Sequence, residues 1–184
     1  CFLLFSSGVL YRLKKLGEKD WETAEWKSLN IVKRAFSVIL KVSGVKVTVK
    51  GAENIPADRP VLYVGNHRSY FDVVLTYARC PGLTGYVAKD SMKKIPLLSS
   101  WMKRLHCLFL NRSDIKEGLK TILQGIDQMK NGVSMCIFPE GTRMPVGQIG
   151  KFTRGGASLA VNANLPVLPI AHDAGAYWPK QGWA

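Results

Sequence analysis

Short apolar runs that alternate with helical patterns constrain this chain more than any other feature of its sequence. Residues 61–64, 107–110 and 133–138 are apolar along almost their whole length. They lack the polar alternation of a strand that has one face in water. Such runs are typical of strands in a parallel sheet that helices cover on both faces. Residues 83–88 and 166–171 complete the predicted strands of this kind.

Apolar residues at helical spacing separate these strands. Residues 115–130 follow a candidate N-cap at Ser113 or Asp114, and residues 70–79 and 155–162 are further predicted helices. Because strands and helices alternate, we predict an α/β fold with a mixed, mostly parallel sheet flanked by helices.

The length of 184 residues suits one domain with an N-terminal extension. We assign residues 44–184 to that domain. It opens with a predicted half-exposed strand at 45–50, where valine alternates with lysine and threonine. Because the chain begins with Cys1 and ends at Ala184 directly after an aromatic stretch rich in glycine and proline, we expect a fragment cut at both ends.

The N-terminal region, residues 1–43, contains two segments that suit a membrane surface. The first ten residues are mostly apolar or small, and a basic stretch around residues 12–15 follows them. Ten residues cannot span a bilayer, which needs about 20. They form either a buried helix or the tail of a longer membrane segment whose basic flank lies on the cytoplasmic side. Residues 20–43 are a predicted basic amphipathic helix, which either packs on its own domain or lies in a membrane interface.

The net charge of +13, from 26 basic and 13 acidic residues, favours an anionic partner. Nucleic acid, anionic lipid and a phosphorylated substrate all fit this charge. The cysteines form no Cys-x-x-Cys pair, and no histidine lies at metal-ligand spacing from them. No metal site is therefore predicted, and Cys107 and Cys136 are interpreted as buried free thiols.

The first candidate site follows the run at 61–64. His67 suits a general base because the ordinary pKa of histidine lies near neutrality, and Asp72 stands five residues later. If a helix begins between them, the carboxylate folds back onto the imidazole and stabilises its protonated form. No serine or cysteine nucleophile stands in a strained turn here, which favours a base acting on a substrate hydroxyl. The alternative is a His–Asp pair that only stabilises the loop.

The second candidate site is the block Phe-Pro-Glu-Gly-Thr-Arg at residues 138–143. Gly141 allows close approach of the backbone. Thr142 offers a hydroxyl, and the guanidinium of Arg143 matches phosphate oxygens bidentately. Glu140 is predicted to bond a substrate hydroxyl or to orient Arg143. The alternative is a plain strand-ending turn with a surface arginine.

Two more cations follow predicted strands. Arg112 comes after the run at 107–110, and Lys89 follows the run at 83–88. Ligands of open α/β sheets bind at the carboxyl ends of the strands. Arg112, Lys89 and Arg143 are therefore predicted to converge on one anionic group. For each of them singly, the alternative is a solvated surface charge.

Taken in order, these blocks resemble the bacterial 1-acylglycerol-3-phosphate O-acyltransferases, also called lysophosphatidic acid acyltransferases. The family's His-x4-Asp signature stands at His67 and Asp72, and its apolar strand ending in arginine matches residues 108–112. Its third block matches residues 138–143 without change, and its fourth, an apolar strand with an internal proline, matches residues 165–170. The resemblance implies the glycerolipid acyltransferase fold, preceded by a membrane-associated helical region.

The resemblance covers about residues 45–180 and implies an activity. A fatty acyl group would pass from acyl-CoA or acyl carrier protein to the 2-hydroxyl of lysophosphatidic acid, giving phosphatidic acid in phospholipid synthesis. His67, supported by Asp72, would be the base, with no acyl-enzyme, cofactor or metal. The further partner would be the anionic surface of the cytoplasmic face of the inner membrane, and not nucleic acid. The residues implied in binding the substrate phosphate are Arg143, Arg112, Lys89, Glu140, Gly141 and Thr142.

Three rival functions stay open. An acyltransferase for another lyso-lipid or amino-lipid acceptor would use the same His–Asp pair. A hydrolase would pass the acyl group to water. A non-enzymatic module would use the charge of +13 to bind a membrane surface or nucleic acid.

Overall fold

A parallel sheet forms the centre of the protein. The computed structural model describes residues 6–145, 148–152, 159 and 161–173 of the chain. The strands are β1 (Leu62–Gly65), β2 (Thr84–Lys89), β3 (Leu108–Leu110), β4 (Ser134–Ile137) and β5 (Val167–Ile170). They lie in the order β3-β2-β4-β1-β5, and every neighbouring pair runs parallel.

Helices cover both faces of this sheet. One core contains residues of the first four helices, and the other contains residues of the fifth together with Leu159 and Ala163, which are also helical. The helices are α1 (Ser7–Gly17), α2 (Trp21–Val42), α3 (Phe71–Tyr77), α4 (Leu98–Arg104) and α5 (Ile115–Lys130). Two short 3₁₀ turns, Ala52–Asn54 and Asp90–Lys94, lie between them in the sequence.

Side chains alternate between the two faces, which explains why the strands are apolar throughout. In β1, Tyr63 joins the core with α1 and α2, whereas Leu62 joins the core with α5. In β4, Cys136 joins the first core and Met135 the second. Leu62 and Met135 have no exposed surface, and full burial of such a side chain contributes about 1.5–3 kcal/mol.

The predicted α/β fold is confirmed. All the predicted apolar runs form strands, and the sheet is parallel at every described pairing, where a mixed sheet was expected. The helix at 115–130 is also confirmed, and Asp114 is its N-cap because its side chain accepts a hydrogen bond from the Glu117 N–H at 3.0 Å.

The predicted strand at 45–50 is wrong. These residues have no strand assignment and no ladder partner among the described residues. Their alternation of valine with polar residues reflects partial burial without a ladder, since Val45 and Val47 are half-buried and Val49 is exposed. Alternation of apolar and polar residues indicates a segment with one apolar face. A strand also needs a hydrogen-bonded neighbouring strand, which this pattern cannot show.

Helix α4 was not predicted, because residues 98–104 contain adjacent serines and a basic end instead of a helical apolar stripe. Its anchor is Trp101, which is buried and whose indole N–H donates to the hydroxyl of Ser6 at 2.9 Å. The predicted helix at 155–162 lies partly outside the described residues; Leu159 within it is helical and fully buried.

The N-terminal region forms two helices that pack on each other and on the sheet. Leu13 of α1 and Leu29 of α2 are buried in the first core. The alternative in which α2 packs on its own domain therefore holds for one side of the helix. Trp21 and Val42 of α2 remain 67% and 83% exposed. Within the described residues, no helix combines the length and apolarity needed to cross a membrane.

Gly85 of β2 lies against the turn that precedes β3. A Cβ at this position would lie 2.8 Å from the backbone carbonyl carbon of His106 and would also clash with its oxygen. Backbone atoms cannot move aside as a flexible side chain can. We expect Gly85→Ala to lower the free energy of unfolding by about 1–3 kcal/mol, measured by chemical denaturation.

The matched control is Gly8→Ala in helix α1. A Cβ at Gly8 meets no atom within 4 Å, so this variant should keep its stability or gain up to about 1 kcal/mol from helix propensity. Equal stability changes in the two variants would contradict the close approach at Gly85.

Candidate active site

The carboxyl ends of all five strands place polar side chains at one edge of the sheet. Because the strands are parallel, residues that follow them meet at the same edge. Asn66 and His67 follow β1, and Lys89 ends β2. The residues contributed after β3, β4 and β5 are Arg112, Glu140 and His172, respectively.

His67 and Asp72 are in direct contact. Helix α3 begins at Phe71, so the carboxylate of Asp72 turns back towards the loop after β1. Its Oδ2 atom lies 2.9 Å from Nδ1 of His67, and it accepts hydrogen bonds from the N–H groups of Arg68 at 2.6 Å and Ser69 at 2.8 Å. This is the geometry that the sequence suggested for a base and its supporting carboxylate.

The environment of Asp72 favours its ionised form. Burial of the carboxyl favours the neutral acid, but the hydrogen bonds from His67, Ser69 and Arg68 outweigh burial and hold the pKa of Asp72 below its usual value. A carboxylate can only accept, so Nδ1 of His67 carries the proton. In the neutral imidazole, Nε2 then carries the free lone pair and is the atom that can take a proton from a substrate.

Phe138 fixes the plane of the His67 ring. The two rings stack with centroids 4.3 Å apart and an interplanar angle of 13°. The side chain of His67 is 17% exposed, so a substrate can reach the ring at its rim. Stacking on one face and the bond to Asp72 together leave the imidazole little rotational freedom.

Glu140 joins the loop after β4 to the loop after β1. It is buried, and its Oε2 accepts from the His67 N–H at 2.6 Å while its Oε1 accepts from the Gly150 N–H at 2.9 Å. The N–H of Met144 donates to the His67 carbonyl oxygen at 2.8 Å. The sequence suggested that Glu140 bonds a substrate hydroxyl or orients Arg143, but both of its oxygens bind backbone N–H groups instead.

Gly141 suits its position. Its φ is 71°, a left-handed conformation that favours glycine, and a Cβ there would lie 2.8 Å from the guanidinium carbon of Arg112. Arg112 uses this space to donate from Nη1 to the Gly141 carbonyl oxygen at 2.7 Å. The structure thus brings the predicted cation after β3 against the block after β4.

Three exposed cations lie along this edge. Lys89 belongs to β2, which pairs with β3 close to Arg112, and the guanidinium carbon of Arg143 lies 4.4 Å from the centroid of the Tyr70 ring. Thr142, which directly precedes Arg143, is also exposed. Among the residues described, none of the three cations forms an ion pair with a carboxylate. Their charges are available to an anion, and their role in binding phosphate stays a prediction.

Sequence reasoning gave Asn66, Phe138 and His172 no role of their own in the site. The only signal for Asn66 and His172 was their position directly after apolar strands, because side-chain contacts between strands far apart in sequence leave no local pattern. Among the described residues there is no group of three or more His, Cys, Asp or Glu side chains placed to bind a metal ion.

The chain is similar to known proteins over most of its length. The model of a protein family described as Acyltransferase matches residues 46–173. A 1-acyl-sn-glycerol-3-phosphate acyltransferase of Pseudomonas aeruginosa is 44% identical over 144 residues, which cover 78% of this chain and 55% of that protein. A protein of the same name from Saccharomyces cerevisiae is 31% identical over 151 residues, or 80% of this chain and 48% of that protein. The chain spans about half the length of these curated relatives.

A solved structure shares the fold. The crystal structure of the 1-acyl-sn-glycerophosphate acyltransferase from Thermotoga maritima matches with a TM-score of 0.77 at 30% sequence identity. The match covers 91% of this chain and 66% of that one. The parallel sheet flanked by helices is therefore the architecture of that protein as well.

Asp72 should make the stability of the protein depend on pH. A carboxyl whose pKa is lower in the folded than in the unfolded chain adds stability above the unfolded pKa of about 4. That stability is lost as the pH falls through the lower folded pKa. Because the pKa of Asp72 is lowered, we expect the stability advantage of the wild type over Asp72→Asn to shrink as the pH falls below about 4. Chemical denaturation at a series of pH values measures this, and an advantage that stays constant with pH would contradict it.

Proposed function

The chain belongs to the Acyltransferase family, and from this premise we propose that it transfers a fatty acyl group from an acyl thioester to the 2-hydroxyl of 1-acylglycerol-3-phosphate. The observation that carries the proposal is the free Nε2 of His67, which Asp72 orients at the sheet edge that also bears Arg112, Arg143 and Lys89. The relatives named above carry this activity in their names.

In the proposed reaction, Nε2 of His67 takes the proton of the acceptor hydroxyl as its oxygen attacks the thioester carbonyl carbon. The tetrahedral intermediate collapses with cleavage of the carbon–sulfur bond. The leaving thiolate recovers the proton from the imidazolium, so that an ester and a free thiol are formed and the base is regenerated. The carboxylate of Asp72 stabilises the imidazolium while it exists. General base catalysis of this kind contributes typically about 10²–10⁴-fold.

The cysteine thiols in the core are poor nucleophiles, which supports direct transfer without an acyl-enzyme. Burial raises the pKa of Cys107 to about 12 and raises the pKa values of Cys80 and Cys136 as well. A buried thiol with a raised pKa is a poor nucleophile. Ser69, next to the catalytic pair, uses its hydroxyl to accept from the Phe71 N–H at 3.1 Å. These contacts favour a substrate hydroxyl as the nucleophile.

The phosphate of the acceptor would lie over the block at 138–143. Arg143 and Arg112 present guanidinium groups that match phosphate oxygens bidentately, and Lys89 adds a third positive charge. Glu140 contributes by holding the loops together and not by binding the phosphate, because its two oxygens already accept backbone N–H groups. Gly141 and Thr142 shape the turn between the cations. The donor is an acyl thioester of coenzyme A or of acyl carrier protein.

A lipid acceptor requires access to a membrane surface, and the N-terminal helices suit this role. Trp26 and Val38 of α2 are exposed, as is Tyr11 of α1. The basic residues Lys27 and Arg34 lie among them in the sequence. Aromatic, apolar and basic side chains together favour the interface of an anionic membrane. We expect this region to contact the cytoplasmic face of the inner membrane.

His67 separates the enzyme proposal from its rivals. In the full-length protein we expect His67→Ala to reduce acyl transfer to lysophosphatidic acid by roughly 10²–10⁴-fold, because the base is removed, while sedimentation with anionic vesicles is unchanged. Thiol release from the donor and radiolabelled phosphatidic acid measure the transfer. Thiol release by the wild type without any acceptor would favour the hydrolase, and no transfer with any lyso-lipid would favour the binding module. A larger rate with another lyso-lipid or amino-lipid would correct the acceptor.

Arg143 tests the phosphate assignment. A hydrogen bond to a charged group is worth about 1.5–3 kcal/mol. We therefore expect Arg143→Ala to raise the KM for lysophosphatidic acid by roughly 10–100-fold with a smaller effect on kcat. The charge-matched control is Arg59→Ala, because Arg59 is exposed beside Asp58 ahead of β1. An equal rise of KM in both variants would show that net charge, and not a phosphate contact, sets the affinity.

A further inference from the structure

His172, the second residue after β5, forms a closed set of hydrogen bonds with Asn66. The His172 N–H donates to Oδ1 of Asn66 at 2.7 Å, and Nδ2 of Asn66 donates to the His172 carbonyl oxygen at 3.1 Å. The ring adds a third bond, since Nδ1 lies 2.9 Å from the Asn66 carbonyl oxygen. That carbonyl belongs to the peptide group whose N–H is contributed by His67. The bonds therefore join the end of β5 to the residue that bears the catalytic ring.

The third bond fixes the tautomer of His172. A carbonyl oxygen can only accept, so Nδ1 of His172 carries a proton. In the neutral ring, Nε2 is then an acceptor, and it is buried without a hydrogen-bond partner among the described residues. An unsatisfied buried polar atom costs about 1–3 kcal/mol.

The His172 ring also supports the stack on which His67 lies. Its centroid is 6.0 Å from that of Phe138, which stacks on His67. Gly65 makes room for both rings, because a Cβ at Gly65 would lie 3.1 Å from Cε1 of His172 and 3.2 Å from Cε1 of Phe138. His172 thus acts on His67 by two routes, one through the backbone of Asn66 and one through the ring of Phe138.

The charged groups around these rings lie on the other loops of the site. Asp72 from α3 is bonded to His67, and Glu140 from the loop after β4 accepts from the His67 N–H. A positive charge on His172 would help to hold the pKa of Asp72 down, although the bonds to His67, Ser69 and Arg68 lower it more. His172 itself contacts neither carboxylate by a hydrogen bond in the described residues.

We propose that His172 is a positioning residue: its Nδ1–H holds the peptide between Asn66 and His67, and its ring backs Phe138, so that Nε2 of His67 points at the acceptor hydroxyl. The inference rests on the proposed acyl transfer and adds a residue to it. Misplacement of a reacting group by about 1 Å can cost on the order of 10²-fold in rate. The binding of lysophosphatidic acid, which depends on the cations of other loops, should not change.

The test compares His172→Asn with His172→Gln in the full-length protein. The amide nitrogen of asparagine replaces Nδ1 of histidine, whereas that of glutamine lies at the position of Nε2. We expect His172→Gln to lower kcat by roughly 10–100-fold with the KM for lysophosphatidic acid within about twofold of the wild type. His172→Asn should recover most of the kcat. Equal kcat values in the two variants, or a loss that appears in KM, would overturn the proposal.

The control for the loss of a histidine ring is His106→Asn. His106 lies in the turn before β3, where its ring is 3.0 Å from a carboxylate oxygen of Glu25 in α2. Asparagine tolerates its left-handed φ of 59°. This variant should lose stability without loss of kcat. A loss of kcat equal to that of His172→Gln would show that general destabilisation lowers the rate and would overturn the proposal.

A double-mutant cycle with Asn66→Ala tests the backbone route. Asn66→Ala removes the two hydrogen bonds to the His172 backbone, whereas His172→Gln removes the ring bond to the Asn66 carbonyl, which alanine keeps. Because all these bonds join the same two residues, the kcat loss of the double variant should be smaller than the product of the two single losses if His172 acts mainly through Asn66. If the kcat losses of the two single variants multiply in the double variant, His172 does not act mainly through Asn66. An inactive wild type would reject the proposed function instead, and an active wild type with a fully active His172→Gln variant would reject only the role of His172.

Discussion

The hydrogen bonds that the Asp72 carboxylate accepts are the interaction on which the rest of the site depends. One oxygen accepts from the His67 ring and from the N–H groups of Arg68 and Ser69, so it fixes both the loop after β1 and the tautomer of the His67 ring. A buried carboxylate is stable only when donors compensate its desolvation. Here those donors come from the loop that the carboxylate organises, and the start of α3 at Phe71 brings the two together.

The loops at the carboxyl edge are bonded to one another as well as to their own strands. Glu140 and Met144 attach the loop after β4 to the backbone of His67, Arg112 attaches the loop after β3 to Gly141, and His172 attaches the end of β5 to Asn66. Each link crosses a long sequence separation. A catalytic group on a loop gains precision when neighbouring loops restrict it in this way, because a single loop is softer than a strand or a helix.

The sequence predicted the strands and the contact between His67 and Asp72 because their patterns are local. Fully apolar runs identify buried strands, and a His followed five residues later by an Asp at a helix start identifies a pair that can meet. The strand expected at 45–50 failed because an alternating pattern cannot show whether a neighbour exists. The partners of Glu140, the N–H groups of His67 and Gly150, were not predicted for a related reason: the fold brings them together. The only local signal for His172 was its position after an apolar strand, which does not show the residues that its side chain contacts.

In the proposed reaction, the base is largely buried, whereas the cations that would bind the acceptor are exposed. His67 and Asp72 are largely removed from water, where a hydrogen bond between a base and its carboxylate is stronger. Arg112, Arg143 and Lys89 are exposed, so water competes with a phosphate that they would bind, and each contact is weaker than it would be in a buried site. Weak contacts with several exposed cations can orient a phosphate and still release it. A product that keeps the same phosphate must leave by breaking the contacts that the acceptor made, so exposed cations favour turnover over tight binding.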